Sequence, residues 1–412
     1  MIVSRPTMLS AAAIAISLLS PSMRAQIVAT GDTRPLQAPQ YPAVCQVVTA
    51  QFDDSLRSSP PTTNDTSRLQ AALNACANTG QSVELAASGS NEAFYSGSLQ
   101  VKGEAVVVDS GVTLYGANGY SSQLLSVTGS NAGIYGPGTI DGRGDLISGT
   151  PRLVNVKKFS NFVAAWITLT HAAKMHLYVE AGDGFTAWYI HVRTPANTKN
   201  TDGIDIDSLT NATVIGSVIE DGDDGVVVKT NSGPASQITV RNNQFYGTHG
   251  MSIGSQTMYG VTNVLWENNV MFGTDEWGNL ATDDNGIRIK SDPTCGGLVN
   301  QVTYRNTTLI GIKHLLEFNT HYGACSGFAG VPVYQNILVD HVVATQSIPG
   351  AYSEFNGYSA TAPLELYLAH VHLDANGQQD SQYAIVGLDD STITPSGPGV
   401  TTFPFTTNNG RQ

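Results

Sequence analysis

The sequence predicts an all-β chain: a single right-handed parallel β-helix, one coiled solenoid, with a short N-terminal capping helix. Three observations predict it: a glycine-led phrase written four times, a second apolar phrase beside it, and a composition suited to short strands and tight turns. The first phrase occurs as NTDGIDIDS (200–208), DDGVVVKT (223–230), THGMSIGS (248–255) and DNGIRIKS (284–291). Every copy reads Gly, apolar, x, apolar, x, Ser or Thr, and Gly203, Gly225, Gly250 and Gly286 are 22, 25 and 36 residues apart. Periods of about 20 to 50 residues mean stacked coils.

The apolar phrase appears as FTAWYIHV from Phe185, ATVIGSVI from Ala212, ITVRNNQF from Ile238, VLWENNVM from Val264, VTYRNTTL from Val302 and ILVDHVVA from Ile337. From Ala212 it steps by about one coil at a time, and an insert around 273–285 stretches the step after the Trp266 copy. Apolar positions of successive coils stack inside a solenoid, and equivalent residues lie about 4.8 Å apart. The four glycine-led phrases thus become four adjacent parallel strands on one face. Glycine is frequent, at 42 of 412 residues, and charged residues make up only 13%, as strands joined by tight turns require.

Residues 1–25 read as an export signal: Arg5, an apolar run from Met8 to Leu19, then small residues before Ala25 and Gln26. An apolar run of about 12 residues is too short for a permanent membrane span, so a secreted protein, extracellular or periplasmic, is expected, with 26–412 as one β-helical domain. An open solenoid end exposes core and strand edges and needs a cover. The segment NDTSRLQAALNACA (64–77) suits that task, within an N-terminal cap at about 41–80. Asn64 or Asp65 can cap a helix whose Leu69, Ala72, Leu73 and Cys76 share one side. SVELAAS and VVVDSGVTLYG read as first coils. The repeat fades after about residue 345, where a C-terminal cap is expected.

Four cysteines, an even number in an exported chain, suggest disulfides, and proximity in sequence favours Cys45 with Cys76 and Cys295 with Cys325. No CxxC pair supports a zinc site. A formal charge of −13 argues against nucleic acid or an anionic membrane as partner, because polyphosphate affinity needs clustered Lys and Arg. A polyanionic substrate would need a local basic patch. A monomer is expected.

Asp202, Asp224 and His249 stand immediately before three of the glycines, with Asp223 beside Asp224, and the fourth copy offers Arg288 and Lys290 at alternating, outward positions. Crowded carboxylates cannot all ionise independently, which separates an acid from a base, as hydrolysis of a glycosidic bond requires. Arg288 and Lys290 would form a fixed positive subsite for a uronate carboxylate. Taken singly, an Asp-Gly is usually a turn, EDGDDG (220–225) could bind calcium, and a lone histidine is usually a surface residue. Recurrence at one position of the coil favours the catalytic reading.

NTDGID (200–205), GDDGVVVK (222–229), THGMSIGS (248–255) and RIK (288–290), in this order and with GPGTIDGRG (136–144) upstream, resemble the signature segments of polygalacturonases in glycoside hydrolase family 28, bacterial secreted type. The resemblance is strongest between about Gly136 and Tyr322. It implies a right-handed parallel β-helix that hydrolyses the α-1,4 bonds of polygalacturonate, the pectic polysaccharide backbone, with inversion and without metal or other cofactor. Asp223 would be the general acid, Asp202 and Asp224 would hold and activate the attacking water, and His249 would tune or share the acid's proton. Arg288, Lys290, Tyr322 in EFNTHYG and Asn200 would bind substrate. Acid and base are expected roughly 6.5–9.5 Å apart.

The sequence departs from the family pattern at Gly225, where many members have Cys, and at Thr248, where many have Gly. The insert ATDDNG (281–286) is expected to narrow or lengthen one end of the groove. Endo action is expected by analogy. Exo action and rhamnogalacturonan or xylogalacturonan hydrolysis are the alternatives, although a neutral rhamnose would leave Arg288 and Lys290 unpaired. A calcium-dependent pectate lyase or a non-catalytic polysaccharide-binding β-helix fits the motifs less well. The Asn-x-Ser/Thr sites at Asn64, Asn211 and Asn306 read as incidental.

Overall fold

Inward-facing residues of the apolar phrase stack in one continuous row. Phe162, Phe185, Ala212, Ile238, Val264, Val302, Ile337, Leu366 and Val386 are paired coil to coil in parallel register, and all are fully buried. The computed structural model describes residues 28–120, 122–323 and 330–406; the expected export signal and Cys325 lie outside them. Among the described residues thirty strands join one coiled sheet, the β-helix that the sequence predicts. Burying each large aliphatic side chain contributes roughly 1.5–3 kcal/mol, and a coil gains this only when its neighbour covers it.

The turn that follows these strands explains the recurring Asn pairs. Tyr189, Gly216, Asn242, Asn268, Asn306, His341, His370 and Asp390 each directly follow one of the stacked strand positions, and all have φ between 47° and 65°. Asn and Asp tolerate this left-handed conformation better than other side chains. Two of the amides also bond along the stack: Asn268 Nδ2 donates to Asn242 Oδ1 at 3.2 Å, and Asn306 Nδ2 to Asn268 Oδ1 at 3.1 Å.

The N-terminal helix spans Thr66–Cys76 and buries Leu69, Ala72, Leu73 and Cys76. The two candidate caps divide the work. Asn64 Oδ1 accepts from the Thr66 N–H (3.1 Å) and its hydroxyl (2.7 Å), whereas the Asp65 carboxylate accepts from the Tyr95 N–H (2.8 Å) and Arg68 Nε (2.7 Å). The disulfide Cys45–Cys76, Cα to Cα 6.0 Å, ties the helix to the first strand, Val44–Thr49.

The C-terminal expectation needs correction. The solenoid continues past residue 345 through the parallel strands Tyr352–Asn356, Leu364–His372 and Ala384–Asp389. The strand Thr401–Pro404 then adds to the sheet, with Phe403 and Phe405 against Tyr367. The repeat faded to the eye because these coils lose the glycine-led wording while keeping inward apolar positions such as Phe355, Leu366 and Leu368. No helix among the described residues is long and apolar enough to cross a membrane.

Candidate active site

Four strands carry the site: Ile204–Ile215, Val226–Lys229, Met251–Ile253 and Asn285–Lys290, stacked in that order. Ile206, Val228, Ile253 and Ile289 point inward and are fully buried, so Asp205, Ser252 and Arg288 between them face the groove. The glycines before the strands allow the coils to approach. A Cβ on Gly203 would sit 2.4 Å from the Gly225 carbonyl oxygen, and Gly250 adopts φ 114°. At Gly225 a Cβ would meet the Phe245 ring at 2.7 Å, so Phe245 fills the space that a cysteine would need. Thr248 is buried and its hydroxyl accepts from the Gly250 N–H at 3.3 Å.

Asp202, Asp223 and Asp224 converge, each offering an oxygen within 4.8 Å of the others. Two are held by ammonium groups. Lys229 Nζ donates to Asp202 Oδ2 (3.0 Å) and Asp205 Oδ1 (2.5 Å), and Lys290 Nζ donates to both Asp224 oxygens (3.1 and 2.9 Å). The Ser252 hydroxyl adds a 2.6 Å bond to Asp224. Asp223 differs: its side chain is 24% exposed, against 5% for Asp202 and 3% for Asp224. Its Oδ1 accepts the Asp224 N–H at 2.9 Å and faces His249 Nδ1 at 3.4 Å. The three aspartates could hold a cation, and Lys229 and Lys290 already supply that charge to two of them.

The cationic pair is buried and paired. Arg288 is 2% exposed, with Nη2 2.7 Å from Asp283 Oδ2, Nε 3.1 Å from Glu317 Oε2 and Nη1 3.8 Å from Asp224 Oδ1. A buried guanidinium needs such partners, and the insert and the next coil provide them in register. Tyr322 joins the site, its ring centroid 5.1 Å from the Arg288 guanidinium carbon and 5.0 Å from Lys290 Nζ. Asn200 is exposed on the turn two residues before Asp202, with φ 59°. The insert reaches the centre of the site rather than one end. The Thr282 hydroxyl lies 3.3 Å from His249 Nε2, and Asp283 also approaches His314 Nδ1 at 3.4 Å. Asp275 Oδ2 anchors the insert on the Ala196 N–H at 2.8 Å.

Lys229, Asp205, Asp283 and Glu317 were missed in the sequence, although one signal was present. Lys229 and Lys290 occupy the same, fifth position of the glycine-led phrase, and Asp205 shares the third with Arg288.

Burial pushes the Asp202 carboxyl up, with Lys229 opposing and the Asp223 and Asp224 charges adding. Burial followed by the Asp202 charge pushes Asp205 up to about 8, and its Oδ2 has no partner. Burial likewise drives Asp221 well up. Asp223 moves the other way: burial raises it, but the His249 hydrogen bond and charge, with Lys290, outweigh that and hold it at about 2. The carboxyls therefore differ widely in proton affinity: in the free protein Asp205 holds its proton and Asp223 is ionised.

Stability should follow the raised group. Asp205 at about 8, with Glu220 and Asp284 at about 7 through burial, stay protonated in the fold after the unfolded chain has ionised near pH 4. The folded state binds more protons between those values, so stability is full below about pH 4 for these groups and falls as pH rises toward 8. Asp223 works oppositely, its contribution being lost as pH falls from about 4 to 2. The thermal midpoint is expected to be higher at pH 5 than at pH 8 by circular dichroism at fixed ionic strength; a higher midpoint at pH 8 would mean these acids ionise within the fold.

The model of glycosyl hydrolases family 28 matches residues 72–389. An endo-polygalacturonase of Pectobacterium carotovorum subsp. carotovorum is 33% identical over 84% of this chain and 90% of its own length. A polygalacturonase of Ralstonia solanacearum is 30% identical over 90% of this chain and 85% of its length. The solved polygalacturonase of Erwinia carotovora ssp. carotovora superposes with a TM-score of 0.74 at 30% identity, covering 88% of this chain and all of the other. With a groove of paired carboxylates on a β-helix and these matches across most of its length, the chain belongs to glycosyl hydrolases family 28, as a glycoside hydrolase of the polygalacturonase type.

Proposed function

We propose that the protein is an exported, monomeric endo-polygalacturonase that hydrolyses α-1,4-galacturonosidic bonds with inversion, Asp223 acting as general acid. The observation that carries this is the contrast among the aspartates: Asp223 is partly exposed with His249 at 3.4 Å, while Asp202 and Asp224 are buried and held by lysines. Asp223 gives its proton to the glycosidic oxygen as the C1–O bond breaks. A water held by Asp202 and Asp224 attacks C1 from the opposite face and loses its proton to whichever of them is ionised. Between turnovers the base releases the water's proton to solvent and Asp223 regains one from solvent through His249, its affinity for it rising when anionic galacturonate enters the site. Arg288 and Lys290 turn their remaining donors to the uronate carboxylate, and Asn200 contacts the chain upstream. The Tyr322 ring lies against both cations and offers a face to the sugar. The export segment at 1–25 and the Cys45–Cys76 disulfide support an oxidising destination.

The test is incubation with de-esterified polygalacturonate plus chelator, following reducing ends, viscosity and ultraviolet absorbance. Reducing ends with a fast viscosity drop and no unsaturated product are expected. Absorbance that appears only with calcium would make the protein a lyase. Proton NMR of the first product should show the β-anomer; an α-anomer would make one carboxylate a nucleophile.

A further inference from the structure

The groove floor does not stop at the cationic pair. Glu317 follows Arg288 in register and Glu354 follows Glu317; Asn319 follows Lys290, then Asn356, then Gln382. Glu354 thus lies two coils beyond Arg288, about 10 Å along the axis. Asn319, His321, Glu354, Asn356, Asp380 and Gln382 line a cavity of about 460 Å³ there. The floor is a bonded lattice: Asn319 Nδ2 donates to Glu354 Oε2 (3.3 Å), Asn356 Nδ2 to Glu354 Oε1 (3.1 Å) and Gln382 Nε2 to Asn356 Oδ1 (3.0 Å). The His321 ring stacks on Tyr358, 5.3 Å between centroids and 10° from parallel, at the cavity's edge.

This cavity lacks the fixed cation that a free uronate requires. Two carboxylates and three amides line it, and no Lys or Arg is among its described lining residues. We infer that this cavity is a distal subsite for an uncharged unit of the substrate, a methyl-esterified galacturonate, beyond the subsite where Arg288 and Lys290 hold an ionised one. The amides can bond sugar hydroxyls and an ester carbonyl, whereas a bare carboxylate would lie against Glu354 and Asp380. Burial already pushes the Glu354 carboxyl up to about 8, so the floor disfavours even its own negative charge. The inference rests on the polygalacturonase reading and adds to it a preference for partly esterified pectin.

The experiment digests de-esterified polygalacturonate and randomly, partly methyl-esterified pectin side by side, and sequences the oligomer products by mass spectrometry. Esters are expected to be enriched at one unit, a fixed number of sugars from the cut on one side. Asp380→Lys, at an exposed position, should lower the kcat/KM ratio of esterified over de-esterified substrate by about tenfold, a swing of ~1.4 kcal/mol. Glu354→Lys should shift the ratio the same way. Esters excluded from that unit or scattered at random, or a ratio unmoved in both variants, would overturn the subsite. Failure to cut any de-esterified polymer would instead strike the polygalacturonase reading, so the two failures are distinguishable.

Discussion

Asp223→Asn is expected to fold normally and lose about 10²–10⁴-fold in kcat on polygalacturonate, the contribution typical of a positioned acid, with little change in KM. The amide keeps the carboxylate's shape, and its oxygen can still accept the Asp224 N–H that Asp223 Oδ1 accepts at 2.9 Å. What it cannot do is give a proton to the leaving oxygen. An oligogalacturonide carrying an aryl leaving group, which departs without protonation, should therefore be cut far less impaired by the variant. Equal losses on both substrates would show that Asp223 positions rather than protonates. Since His249 lies 3.4 Å from the acid, His249→Ala should change the pH profile of kcat. An unmoved profile would remove His249 from the proton path.

The coils were legible because each inward position must meet apolar neighbours above and below, so Phe185, Ala212, Ile238, Val264, Val302 and Ile337 keep one character while their surroundings vary. Asp202, Asp223, Asp224 and His249 were legible for a related reason: each stands before or beside a glycine that marks where a coil enters the groove. Pairing across coils was not legible. Which acid meets Arg288 depends on register with His314–Asn319 and on how the insert folds, and Glu317 and Asp283, although inside EFNTHYG and ATDDNG, occupy no position of the repeated phrase. Coils about 4.8 Å apart surround a buried charge with whatever the neighbouring coils carry. The C-terminal coils were missed because the glycine-led wording serves the groove, while the solenoid needs only its inward row.

Lys229 presents the sharpest test of that buried network. Lys229→Met should destabilise the protein by about 3–5 kcal/mol at pH 8, the usual cost of leaving a buried ion without its partner, and should abolish activity. Its Nζ satisfies Asp202 at 3.0 Å and Asp205 at 2.5 Å, and both carboxylates are almost wholly buried. Without the ammonium, burial and mutual repulsion raise both acids further, so they stay protonated to higher pH in the fold. The stability lost should accordingly be small at pH 5 and grow toward pH 8, since the unfolded chain releases protons that the fold retains. A protonated Asp202 no longer accepts a proton from water, so activity should be absent even at pH 5, where the variant is folded. Adding Asp205→Asn removes one of the two stranded acids and should restore much of the denaturant midpoint at pH 8 without restoring turnover. If the double variant regained activity together with stability, Lys229 would act only by holding the strands in place. If stability returned alone, the lysine sets the protonation state of Asp202, and the acid–base pair of the groove depends on a residue that need not touch substrate.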